Sequence, residues 1–343
     1  QVPHKLLSRD LEKQSVRLPR PTDLAVGMLF LPRDAVARER CQQIVEQVAA
    51  QNALRLLAWR DVPIDPSVLG AQALATQPVV RQALLGRPDG LSDAAFERTL
   101  YLARKQIERQ VADAGIPDFY APSFSHQTVV YKGLFVAPQL AAFYKDLRDK
   151  SFAVSLAVFH QRYSTNTFPN WYLAQPFRFV GHNGEINTLQ GNRNWIRARE
   201  PQMQSQVWKE RVADLRPLIQ PGGSDSANLD NALEALVMSD RDILHAMTMM
   251  VPEAWENMPN LDPAWHAFYE YHACISEPWD GPAALAFSDG VVVGACLDRN
   301  GLRPARYKVA DDGIVSMASE VGVIDMDDRH VIRKGRLGPG EMI

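Results

Sequence analysis

Residues 283–297 read AALAFSDGVVVGACL. Two apolar runs, Ala283–Phe287 and Val291–Leu297, flank Ser288-Asp289-Gly290. Asp-Gly between apolar runs is a strong hairpin signal, because the tight turn needs residues that tolerate positive φ. The pattern recurs at 306–318, RYKVADDGIVSMA, with Asp311-Asp312-Gly313 between Arg306–Ala310 and Ile314–Ala318. Hairpins demand antiparallel pairing. With helices elsewhere in the chain, they predict an α+β fold with antiparallel sheets and helices segregated on the outside.

Upstream of the hairpins, Leu229, Leu233, Leu236 and Val237 mark one helix and residues 243–250 another. A short strand is expected at Phe177–Val180, leading into GHNGEINT and a helix through Asn194–Arg199. In Phe152–Phe159 the bulky Phe152, Val154, Leu156 and Val158 alternate with Ala153, Ser155 and Ala157. Such a segment predicts a strand covered on both faces, as in a layered sandwich. The first third predicts strands at Leu24–Leu31, Leu54–Trp59 and Thr128–Val136. Between them fall a helix capped by Asp34 and a longer one capped by Ser92, stopping at Gly115. No internal repeat or flexible linker interrupts the chain, so residues 1–343 read as one domain with an embellished first third.

Composition narrows the function. Lys plus Arg number 37 against 40 Asp plus Glu, a net charge of -3, whereas a nucleic-acid binder held by phosphate neutralisation needs a basic surplus. No apolar run approaches the length of a membrane-spanning helix, and the N-terminus lacks the apolar core of a signal peptide. Three cysteines, Cys41, Cys274 and Cys296, form neither a disulfide framework nor a CxxC zinc motif. They predict buried thiols in a reducing cytoplasm. The phosphate-binding patterns GxxxxGK[ST] and GxGxxG and the GxSxG elbow are absent. His182 and Glu185 lack a metal-ligand spacing, so no metal site is expected.

Three segments concentrate polar side chains beside apolar ones. In HQRYSTNT, residues 160–167, Arg162 offers a fork suited to a carboxylate, or equally a structural ion pair. In GHNGEIN, residues 181–187, the Asn183 amide and the unshielded Gly184 N–H are the two donors an oxyanion hole requires; the alternative is an ordinary Asn-Gly turn. In GGSDS, residues 222–226, Asp225 and Ser226 can cap the following helix, or Asp225 can hold a substrate ammonium.

In order along the chain, HQRYSTNT, HNGEINT, GSDSANLDN and DRNGLRPARY resemble the class II glutamine amidotransferase domain of the large chain of glutamate synthase. The resemblance extends from about Leu24 to the final GRLGPGEMI. It implies an N-terminal-nucleophile hydrolase fold, an αββα sandwich of two antiparallel sheets. It also implies hydrolysis of L-glutamine through a cysteine thioester, with ammonia channelled to 2-oxoglutarate in a downstream synthase domain of an oxidoreductase acting on CH–NH2 donors. Carried over by motif, Arg162 pairs with the glutamine α-carboxylate, with Thr165 beside it. Asp225 takes the α-ammonium, and Asn183 and Gly184 form the oxyanion hole. Asn300-Gly301 is read as structural support.

The family nucleophile is the first residue of the mature chain, and here residue 1 is Gln. The resemblance therefore implies an N-terminally truncated domain, inactive alone, with its catalytic cysteine outside these residues. FMN and an iron–sulfur cluster are expected only in the downstream part of the parent enzyme. The expected partners are L-glutamine, the synthase domains of the same polypeptide and a reductase subunit. Two alternatives stand beside this: a pseudo-amidotransferase that binds glutamine for regulation, and the glutaminase domain of another class II amidotransferase.

Overall fold

The computed structural model describes residues 1–161, 167–320 and 322–343. Arg162 and Thr165 lie outside the described residues. The chain divides into two compact units, residues 1–178 with 204–216 and residues 179–203 with 217–343.

The first unit contains α1 (His4–Glu12), β1 (Leu24–Leu31), α2 (Ala35–Gln51), β2 (Arg55–Asp61), α3 (Ala71–Ala75), β3 (Val79–Gly86), α4 (Asp93–Asp113), β4 (Tyr120–Ser125) and α5 (Ala137–Phe143). Its four strands form one antiparallel sheet in the order β2-β3-β1-β4. Every residue of β1 is buried, and the two-residue period of a strand divides its side chains between two cores. Ala25, Leu29 and Leu31 pack with Cys41, Ile44, Val45 and Val48 of α2 and Phe96, Leu100 and Ile107 of α4. On the opposite face Met28 and Phe30 join Phe143, Tyr144 and Trp171, while Leu24 and Val26 meet Leu7 and Leu11 of α1. The caps are as predicted: Asp34 accepts from the Ala37 N–H at 2.8 Å, and Ser92 from the Ala95 N–H at 3.2 Å.

A buried ion cluster fastens α1 to this sheet. Arg60 of β2, 3% exposed, donates to both carboxylate oxygens of Asp146 at 2.7 and 2.8 Å, to Asp10 of α1 at 2.6 Å and to Gln82 of β3 at 2.9 Å. The Tyr131 hydroxyl completes Asp146 at 2.8 Å.

Two predicted strands of the first unit are not strands. Residues 152–159 take no ladder, and Val154 and Phe159 stand 38% and 60% exposed. Their alternating pattern fits a pleated surface, but the Ser155 N–H donates to the Gln1 side chain instead of to a neighbouring strand. Residues 128–136 run as irregular chain. Serine hydroxyls of β4 replace a ladder there: Ser125 accepts from the Gln127 and Thr128 N–H groups, and Ser123 from the Val130 N–H.

The second unit contains β5 (Val180–Gly184), α6 (Leu189–Arg199), α7 (Asp225–Met238), α8 (Ile243–Met250), α9 (Pro263–Ala273), β6 (Ala283–Ser288), β7 (Val293–Leu297), β8 (Arg306–Ala310), β9 (Val315–Ala318) and β10 (Val331–Arg336). Both predicted hairpins form, as β6–β7 and β8–β9. The sheets are β5-β6-β7 and β10-β8-β9, and all pairing is antiparallel. The strand expected at Phe177–Val180 starts later and runs through the Asn183-Gly184 pair. The α+β class with antiparallel sheets is thus as expected, the described strands forming three sheets. Among the described residues no helix is long and apolar enough to cross a membrane.

Candidate active site at the end of β5

β5 pairs with β6 from Val180↔Phe287 to Gly184↔Ala283. The Ser288 N–H donates to the Phe179 carbonyl at one end, and the Glu185 N–H to the Pro282 carbonyl at the other. Antiparallel pairs alternate between hydrogen-bonded and non-hydrogen-bonded positions. With 179/288 and 185/282 bonded, Gly184 falls at a non-bonded position. Its N–H is therefore directed away from β6, off the outer side of a strand with no second neighbour in its sheet among the described residues.

Gly184 has φ +145°, and a Cβ there would lie 1.8 Å from the Pro282 oxygen and 2.8 Å from the Ala283 Cα. Gly281 answers it across the crossing: its φ is +150°, and its Cβ would lie 2.0 Å from the Glu185 oxygen. Two glycines let the backbones of β5 and β6 close to this distance.

Side chains along β5 alternate in direction. His182, buried, has its Nε2 3.4 Å from the Asp225 carboxylate. Asn183 turns its amide to the loop after β9, where its Nδ2 donates to the Ser319 hydroxyl at 2.9 Å.

Asp225 opens the first turn of α7, yet the helix cap is Ser224, whose hydroxyl accepts from the Ala227 N–H at 3.1 Å. This corrects the expectation that Asp225 or Ser226 caps the helix. The Asp225 carboxylate instead accepts from the Ile186 N–H at 3.0 Å and the Ser226 N–H at 2.7 Å. Burial opposes ionisation of Asp225, but His182 and these two N–H groups outweigh it and hold the carboxyl below the usual carboxylate range. Arg193 of α6 braces the same turn, bonding the Asn228 side chain and the Gly223 carbonyl.

Further residues of this region escaped the sequence reading. Asp230, fully buried one and a half turns along α7, accepts from the Phe179 and Val180 N–H groups at 2.7 and 3.1 Å. α7 therefore holds the chain on both sides of β5, with Asp230 at the entry and Asp225 past the exit. Asp298 gathers the N–H groups of Ala283, Asn300, Leu302 and Arg303 at 3.0 to 3.2 Å, which shapes the Asn300-Gly301 turn. A signal was available in α7: SDSANLDN sets two carboxylates and two amides around Leu229, at the start of a helix whose later turns are apolar. Ser319 and Gly281 carried none.

Of the other candidates, Arg162 and Thr165 lie outside the described residues. Cys41 and Cys296 are buried, and burial pushes their thiols up to about 11 and about 12; Cys274 is exposed.

A family model described as glutamine amidotransferases class-II matches residues 1–343. The chain is 47% identical to ferredoxin-dependent glutamate synthase 2, chloroplastic, of Arabidopsis thaliana, across 100% of this chain and 21% of that protein. It is 44% identical to the NADPH glutamate synthase large chain of Azospirillum brasilense, across 100% of this chain and 23% of that protein. The corresponding large chain of Bacillus subtilis is also 44% identical, across 97% of this chain and 22% of that protein. The chain thus spans about a fifth of the length of these curated relatives. An Asn-Gly pair at a strand end, an anchored Asp-Ser helix start and a family match over the whole sequence converge: the chain belongs to the class II glutamine amidotransferases.

Proposed function

We propose that residues 1–343 form the glutamine-hydrolysing part of a glutamate synthase large chain. A cysteine thiolate attacks the side-chain amide carbon of L-glutamine. The tetrahedral intermediate collapses to a γ-glutamyl thioester as ammonia leaves with a proton. Water then attacks the thioester, releasing glutamate and regenerating the thiol. The single observation that carries this assignment is the end of β5. There the Gly184 N–H lies on the outer side of the strand, beside an amide-bearing Asn183, at a point where a side chain on residue 184 has no room. Two donors so placed stabilise the oxyanion of both tetrahedral intermediates. Arg162 binds the glutamine α-carboxylate with Thr165 as a hydrogen-bonding partner, and Asp225, kept ionised, takes the α-ammonium.

None of the three cysteines suits the nucleophile's part. The two buried thiols are held protonated, and an attacking sulfur must be a thiolate. Cys274, exposed after α9, is like the other two an internal residue, without the free α-amine that serves the nucleophile of the resembled family. The nucleophile is accordingly assigned to a cysteine outside residues 1–343. Transfer of the ammonia to 2-oxoglutarate, with FMN, an iron–sulfur cluster and a reductase subunit, is assigned to other parts of the enzyme. The compartment is the reducing cytoplasm.

The test uses the 343-residue chain. It should bind L-glutamine in a calorimetric titration, release no ammonia and take no label from a glutamine-mimicking electrophile. Arg162→Ala should weaken binding about 10- to 100-fold, the worth of a charged hydrogen bond. Ammonia release by the unmodified chain would refute the placement of the nucleophile. Undiminished binding by the Arg162 variant would refute the carboxylate site.

A further inference from the structure

An oxyanion donor must be aimed as well as present. A primary amide carries two N–H bonds in one plane, and a half-turn about its last torsion replaces the donor with an acceptor of the same shape. An acceptor presented to a developing oxyanion repels it. What fixes the Asn183 amide is therefore part of the chemistry, and among the described residues its bond to Ser319 is suited to that task. The Asn183 Nδ2 donates to the Ser319 hydroxyl oxygen at 2.9 Å. Ser319 directly follows β9, which the β8–β9 hairpin holds at the edge of its own sheet.

We propose that Ser319 is a positioning residue for the oxyanion hole. By accepting one N–H of the Asn183 amide, it fixes which end of the amide is the donor and leaves the second N–H to serve the substrate oxygen. Ser319 does not touch the substrate. This assignment rests on the oxyanion role of Asn183 proposed above. It adds that the donor is oriented from a second sheet, so that the β8–β9 hairpin contributes to catalysis without bearing a reacting group. A hydroxyl is also suited to the place because it can accept from the amide while its own proton rotates elsewhere.

The experiment measures glutaminase kinetics in the active polypeptide that contains these residues, comparing Ser319→Ala, Ser319→Thr, Asn183→Ala and the double alanine variant. Ser319→Ala should lower kcat about tenfold, the worth of one hydrogen bond, and change KM less than about twofold. Ser319→Thr, which keeps the hydroxyl, should restore kcat to within about twofold of the parent. Asn183→Ala should cost about 10²- to 10³-fold in kcat. The double variant should be no slower than Asn183→Ala alone, since Ser319 acts only through that amide. A loss in the double variant equal to the product of the single losses overturns the proposal, as does full kcat in Ser319→Ala beside an impaired Asn183→Ala. An unimpaired Asn183→Ala overturns the oxyanion role itself and the Ser319 assignment with it. A rise in KM with kcat unchanged in Ser319→Ala also overturns the proposal, because it marks lost substrate binding.

Discussion

Replacing Gly184 by alanine would place a methyl carbon 1.8 Å from the Pro282 oxygen and 2.8 Å from the Ala283 Cα. Both obstacles are backbone, so no side-chain rotation relieves them. The Pro282 carbonyl would have to retreat by more than an ångström, and it is the acceptor of the Glu185 N–H at 3.0 Å. That hydrogen bond contributes about 0.5–1.5 kcal/mol. An alanine at φ +145° adds backbone strain of about 1–3 kcal/mol. The combined cost is about 1.5–4.5 kcal/mol, read as a fall in the urea midpoint at unchanged m-value. The control is Gly191→Ala in α6, where a Cβ meets nothing within 4 Å. There alanine should stabilise the helix by about 0.5–1 kcal/mol. If Gly184→Ala unfolds at the same urea concentration as the parent, the close crossing of β5 and β6 is not a feature of the folded chain. Residue 184 would then have room for a side chain.

Arg60→Met should destabilise the chain by about 3–5 kcal/mol in urea unfolding, because it leaves the buried Asp146 carboxylate without its cation. Arg60→Met with Asp146→Leu should recover much of that loss. Asp225 is held below its unfolded value of about 3.8. Its stabilising contribution is thus fully present above that value and is lost as the pH falls through the lower folded value. Urea midpoints of the parent should drop more steeply on acidification below about pH 4 than those of Asp225→Asn, whose side chain does not ionise.

What could be read directly from the sequence was local. The 283–297 and 306–318 hairpins declare themselves because turn and flanking strands are contiguous, and the caps Asp34 and Ser92 each lie only three residues before the N–H they bind. Residues 152–159 show the limit of such reasoning: their alternation is that of a strand, but pairing is a property of a neighbour. β3 failed in the opposite sense. Arg81 and Gln82 break its apolar run, and Gln82 is buried with partners distant in sequence: Arg60, on another strand, donates to its side-chain oxygen, and its amide nitrogen donates to the Tyr131 hydroxyl. The same division runs through the site. Asn183 and Gly184 stand out as a polar pair beside apolar chain. Gly281 is required by a backbone approach that no local pattern encodes, and Ser319 lies in an unremarkable stretch after β9.

The placement of two carboxylates on α7 bears on how substrate binding and folding are linked. Backbone N–H groups at the entry and beyond the exit of β5 need acceptors. Asp230 supplies one to Phe179 and Val180, and Asp225 supplies one to Ile186. Asp225 therefore anchors the strand that carries Asn183 and Gly184, and in the proposed role it also receives the substrate ammonium. An anion that already holds several donors is rigid before substrate arrives, so little ordering is left to offset on binding. The same economy has a consequence for mutagenesis. Removing Asp225 would loosen the oxyanion strand and delete the ammonium's partner together, raising KM and lowering kcat in one step. Removing Asp230 would loosen only the strand. The two carboxylates, one and a half helical turns apart, separate the scaffold's share of the site from the substrate's.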